Sequence, residues 1–133
     1  MRFLLLPLSL FAMAIIPTAV HAGVKTPTLH AVMFYADWCG SCKALDPTVE
    51  KARAKFNLDS KNVLFTTLDL TDALTRNQSA LKASTVGLGD FYAENKGKTG
   101  FMLLVDAEGN QVGKITKEHG AGDIAKMIKE NLK

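Results

Sequence analysis

Apolar and polar positions divide the chain into an apolar leader and an alternating set of strand-like and helix-like segments. Residues 28–36 (TLHAVMFYA) form a continuous apolar, β-branched and aromatic run between Pro27 and Asp37, as a strand buried on both faces does. Residues 40–56 carry Leu45, Val49, Ala52 and Phe56 at helical spacing, and Pro47 inside that segment is expected to kink it. Residues 63–70 (VLFTTLDL) read as a second strand, and residues 72–83 as a helix capped by Thr71 or Asp72. The stretch 84–99, with Gly87, Gly89 and Gly97, reads as a long irregular loop. Residues 101–105 form a third strand, and Glu108-Gly109-Asn110 turns the chain into a fourth at 111–116. Residues 122–132 close the chain as a helix with Ile124, Ala125, Ile128 and Leu132 on one face.

A strand–helix–strand start implies a right-handed parallel crossover, and the later hairpin adds antiparallel strands. The predicted fold class is therefore α/β: a three-layer sandwich with a mixed central sheet and helices on both faces.

Residues 1–22 stand apart from this pattern. Arg2 precedes the uncharged apolar run 3–16, Pro17 breaks it, and Val20-His21-Ala22 places small residues where a signal peptidase reads. The run is short for a membrane span, which takes about 20 apolar residues, so a cleaved signal peptide is expected rather than an anchor. The remaining domain, residues 23–133, would be periplasmic or extracellular. Without Arg2 it holds 15 basic and 13 acidic residues, a formal charge of +2. No basic run exceeds two residues, so neither nucleic acid nor an anionic membrane surface is expected as a partner. A domain of this size can bury one core as a monomer.

Both cysteines, Cys39 and Cys42, lie three positions apart where the first strand gives way to a helix. A bridge this short adds little stability, because the entropic gain grows with the loop it closes. The pair is better understood through its reactivity. Cys39 falls at a helix N-terminus, where free backbone N–H groups and the helix dipole favour the thiolate, the attacking species. Cys42 lies one turn further in and should be more buried. Cys39 is then the nucleophile and Cys42 the residue that resolves the mixed disulfide. Gly40 and Ser41 are expected to let the chain turn tightly between them, with Ser41 either a weak donor to the thiolate or simply solvated. Trp38 is either an apolar wall beside the nucleophile or an ordinary packing aromatic. Zinc would need four ligands, and only His30 and His119 remain in the domain, at no ligand spacing, so no metal or other cofactor is expected. Gly97-Lys98-Thr99 is not a phosphate loop, because the glycine required upstream is Tyr92.

Phe34-Tyr35-Ala36-Asp37-Trp38-Cys39-Gly40-Ser41-Cys42-Lys43, with Pro47 following, resembles the thioredoxin superfamily. The segment 35–39 is similar to the C-terminal domain of the bacterial membrane reductase that carries electrons into the periplasm. The likeness extends over most of residues 28–132. It implies a thiol–disulfide oxidoreductase, an enzyme acting on protein thiols and disulfides, with a membrane electron donor upstream and a reducing direction. Two departures follow from the same likeness. Gly100, preceded by Thr99, stands where the family places a cis-proline facing the cysteines. Met33 stands where thioredoxins carry a buried acid, leaving proton transfer at Cys42 to water or to Asp90 or Glu94 in the 84–99 stretch. That stretch is either a partner-selecting flap or a tolerated insertion. The alternative function is a binding module of the same fold that grips a partner through this loop and the Gly100 groove, with the cysteines idle.

Overall fold

The computed structural model describes residues 26–132. Its elements are β1 (Leu29–Tyr35), α1 (Gly40–Phe56), a single 3₁₀ turn (Leu58–Ser60), β2 (Val63–Asp69), α2 (Ala73–Thr85), α3 (Gly89–Asn95), β3 (Phe101–Asp106), β4 (Gln111–Thr116) and α4 (Ala121–Glu130). The proposed leader, residues 1–22, lies outside the described residues.

The sheet order is β2-β1-β3-β4. β1 runs parallel to β2, with Phe34 opposite Leu68, and antiparallel to β3, with Phe34 opposite Phe101. β3 pairs antiparallel with β4, with a register shift between Leu104 and Val105. The uninterrupted apolar run of β1 follows from its central place. Leu29, Ala31 and Met33 enter one core, while Val32 and Phe34 enter the other. β3 divides in the same way, Met102 and Leu104 on one side and Phe101, Leu103 and Val105 on the other. The edge strand β4 fully buries only Ile115.

α1 and α4 cover the first core through Leu45, Val49, Ala52, Ile124, Ala125 and Ile128. α2 and α3 cover the second, where Ala83, Leu88 and Tyr92 meet Phe34, Leu68 and Phe101. The helices therefore lie on both faces, as the element order implies. Pro47 sits inside α1, which continues through it to Phe56 and ends at Asn57 in the left-handed region, φ 51°. α2 begins at Asp72, whose carboxylate accepts from the Thr75 N–H at 2.8 Å while the Thr75 hydroxyl receives the Asp72 N–H at 3.0 Å.

The 84–99 stretch is not an irregular loop. α2 extends to Thr85, Gly87 turns the chain at φ 77°, and α3 follows. A seven-residue helix without a side-chain N-cap is not stable by propensity alone. Tertiary packing holds it: Leu88 and Tyr92 are buried, and the Tyr92 hydroxyl donates to the Arg76 carbonyl at 2.7 Å. The glycines and polar residues that suggest a loop conceal these two anchors.

The α2 cap is pH-dependent. The Thr75 N–H holds the Asp72 carboxyl below its ordinary pKa, with help from the Thr75 hydroxyl, the Leu74 N–H and the Arg76 charge, against a desolvation cost. A folded-state pKa below the unfolded one contributes stability that is complete above the ordinary aspartate range and is lost as pH falls through the folded value. Asp72→Ala should therefore lower the melting temperature at neutral pH. The difference from the unaltered protein should shrink steadily in melts recorded from pH 6 down to pH 3.

Candidate functional site

Cys39 and Cys42 form a disulfide, with their Cα atoms 5.3 Å apart. The end of β1 and the start of α1 place them. Cys39 is the N-cap of α1, in extended backbone, and its Sγ accepts from the Cys42 N–H at 3.2 Å. A backbone donor and the positive end of a 17-residue helix are thus aimed at the Cys39 sulfur. Cys39 retains 8% exposure and Cys42 none, the asymmetry expected of an attacking and a resolving thiol. Cys42 lies among apolar side chains, and its Sγ is 3.8 Å from the Phe34 carbonyl oxygen.

Helix geometry, rather than glycine, makes the tight approach of the two sulfurs. A Cβ at Gly40 would meet no atom within 4 Å, and Gly40 has ordinary helical backbone. This corrects the expectation that Gly40 is needed for the turn: residues three apart at a helix start already face one another. In the disulfide form Ser41 makes no hydrogen bond to the Cys39 sulfur. The hydrogen bond that Cys39 Sγ accepts comes from the Cys42 backbone, while Ser41 packs toward Gly100.

Trp38 is 63% exposed, so it is not an ordinary core aromatic. Its indole N–H donates to the Thr71 carbonyl at 3.1 Å. The Thr71 hydroxyl receives the Asp37 N–H at 3.0 Å and donates to the Asp69 carboxylate at 2.5 Å, which also accepts the Thr71 N–H at 2.8 Å. The end of β2 therefore braces the segment leading into Cys39. Sequence reasoning missed the brace that Asp69 and Thr71 form, having considered Thr71 only as a helix cap; the signal was two polar residues flanking Leu70 where β2 ends.

Gly100 adjoins the pair. Its N–H donates to the Phe34 carbonyl at 2.9 Å, and its φ is 89°. A Cβ built there would lie 2.8 Å from Ser41 Cβ and 3.4 Å from Cys39 Sγ. Thr99 is half-buried beside it and lines the same groove as Trp38. His30 lies near the far end of β1, about 17 Å along the strand from Tyr35, and His119 is tied to the Thr116 N–H at 3.1 Å. Neither is brought to the sulfurs.

The thioredoxin family model matches residues 17–130. The chain belongs to the thioredoxin family.

Among similar proteins is a protein disulfide-isomerase of Arthroderma benhamiae, 45% identical over 49 residues, which are 37% of this chain and 9% of that protein. The chain thus spans less than a tenth of that curated relative. Similar solved structures include a thioredoxin-family thiol:disulfide interchange protein from Chlorobium tepidum. It is 20% identical, has a TM-score of 0.56 and is matched over 81% of this chain and 82% of its own. A secreted thiol-disulfide isomerase from Corynebacterium glutamicum is 9% identical, with a TM-score of 0.52 over 79% and 71% of the two chains. These two likenesses establish the shared fold.

Within this thioredoxin-family chain, the site departs from the family pattern at the two places the sequence indicates. Met33 is buried in β1 between Thr67 and Met102, so no acid stands there. Asp90 and Glu94, the expected substitutes, ride on α3 across the sheet from α1 and Cys42. Gly100 does adjoin the cysteines, but it is not a vacancy that proline could fill. No cis peptide bond occurs among the described residues, and φ of 89° is closed to a proline ring. Gly100→Pro would also remove the donor to Phe34, so proline there is expected to cost stability.

Gly100→Ala should destabilise the protein by about 2 kcal/mol in denaturant melts, from the left-handed backbone and the Ser41 contact together. Gly100→Pro should cost about 3 kcal/mol or more. Adding Ser41→Gly should recover part of the Gly100→Ala loss and none of the proline loss that comes from the missing N–H.

Proposed function

We propose that this chain is an exported thiol–disulfide oxidoreductase that reduces disulfides of protein clients. The observation that carries the reading is the asymmetry of the pair: a partly exposed Cys39 at the N-terminus of α1 and a fully buried Cys42 within bonding distance. In the dithiol state, the Cys39 thiolate attacks one sulfur of a client disulfide. That S–S bond breaks, and the other client sulfur leaves as a thiolate that takes up a proton. Cys42 then releases its proton to water and attacks Cys39 Sγ, freeing the second client thiolate, which is protonated in turn. The client gains two electrons and two protons; the protein returns to the disulfide form. A dithiol donor outside the chain must reload it, and the likeness of residues 35–39 to a membrane reductase domain points to a membrane donor. The chain works as a monomer, with its site complete in one copy.

Export is supported by the leader pattern of residues 1–22 and by the likeness in fold to the secreted thiol-disulfide isomerase of Corynebacterium glutamicum. Sequencing the exported protein should return an N-terminus at Gly23. A membrane-bound product that keeps Met1 would make the segment an anchor.

Activity follows from the assignment of roles. Cys39→Ser should abolish reduction of a protein disulfide such as insulin, and Cys42→Ser should accumulate a mixed disulfide through Cys39, visible by intact mass. The reverse pattern would exchange the two roles. Failure of the unaltered dithiol protein to reduce any disulfide would favour the binding-module alternative. A glutathione redox titration should place the couple nearer a reducing thioredoxin, about −270 mV, than a strong periplasmic oxidant at about −120 mV.

A further inference from the structure

A groove of about 250 Å³ leads away from the sulfurs, lined by Trp38, Leu70, Arg76, Lys96, Gly97 and Thr99. Thr99 anchors its near end, because the adjoining Gly100 lies against Cys39 Sγ. Trp38, the residue before the nucleophile, forms one wall. The groove continues past Arg76, Lys96 and Gly97 into a second hollow that adds Asn77, Ala80 and Tyr92. Arg76 and Lys96 line both parts, and no acidic side chain lines either. Among the described residues neither cation is in an ion pair. Asp72, one turn before Arg76 on α2, feels its charge but is held in the helix cap by Thr75.

Trp38 and Arg76 differ from a solvated surface in being tethered. The Trp38 ring is exposed, yet its N–H is tied to Thr71, so seating a client against it costs little ordering. The Arg76 Nε donates to the Leu70 carbonyl at 3.2 Å, which orients the guanidinium while leaving its terminal nitrogens to other partners. Lys96 rises from the end of α3, whose position the Tyr92–Arg76 hydrogen bond sets against α2. One oriented cation, a second exposed cation beside it, one aromatic wall and a nucleophile at one end match an extended segment that carries carboxylates close to its own reacting cysteine.

We infer that this groove selects clients with Asp or Glu within a few residues of the disulfide to be reduced. The inference rests on the exchange activity proposed above and names the substrate class of that site.

The test uses the reduced protein and three short disulfide peptides, identical except that the residues flanking the cysteine are Glu, Gln or Lys. Second-order reduction rates are measured at low salt. The Glu peptide should react about three- to tenfold faster than the Gln peptide, and the Lys peptide more slowly than either. Lys96→Glu should abolish or invert the Glu-over-Lys order. Lys61→Glu, the same charge change beyond the 3₁₀ turn and outside the groove, should leave it intact. Equal rates for the three peptides would overturn the proposal, as would an equal effect of Lys61→Glu, which would assign the preference to net charge. Reduction of none of the peptides, the Gln peptide included, would instead overturn the oxidoreductase reading itself.

Discussion

The carbonyl of Phe34 is the joint on which the site is assembled. It accepts the Gly100 N–H at 2.9 Å and lies 3.8 Å from Cys42 Sγ. Through one backbone group, the end of β1 fixes both the segment entering β3 and the buried member of the cysteine pair. The Phe34 side chain points into the second core, stacked on Phe101 with ring centroids 5.1 Å apart and interplanar angle 23°. Burying aromatic side chains of this size contributes about 1.5–3 kcal/mol each, so the carbonyl is held by packing on the face opposite the cysteines. Moving it would disturb both cores together.

Around this joint the two helical layers divide the work. α1 and its neighbour α4 support the sulfurs: α1 supplies the N-terminal N–H and dipole at Cys39 and the apolar shell around Cys42. α2 and α3, on the other face, contribute Arg76 and Lys96 to the groove beside Trp38. The end of β2 links the layers, since Asp69 orders Thr71, and Thr71 holds both the Asp37 backbone and the Trp38 ring. Chemistry and access are thus set by different elements that meet at residues 37–39.

Met33 and Gly100, where the family pattern has an acid and a proline, give this site an apolar interior and a close backbone approach to the sulfurs. Met33 adds apolar surface on the Cys42 side, where an ionised thiol is costly without a proton acceptor nearby. Gly100, in a backbone region that L side chains rarely adopt, lets β3 begin close against Ser41 and Cys39 with no side chain between. The family's fold therefore persists with a different local solution for the backbone that faces the sulfurs.

Much of this was legible in the sequence. α1 and β4 occur at the predicted bounds, β1, β2, β3 and α4 within a residue or two, because each carries its own periodicity and its own stops. The reactive pair was legible because two cysteines three apart at a strand-to-helix junction place one at the cap and the other a turn inward, whatever the rest of the chain does. What the sequence could not reveal depends on groups distant along it. α3 is held by Leu88 and Tyr92 packing across α2, which no local pattern signals. The tether of Trp38 to a carbonyl 33 residues away turned an ambiguous aromatic into a fixed wall. The left-handed backbone at Gly100 and the idle space at Gly40 reversed the weight of the two glycines. Local periodicity determined which elements form and where the thiols lie along them. Only tertiary contacts, through hydrogen bonds and packing between remote segments, decided what surrounds the sulfurs and how the groove beside Trp38 is built.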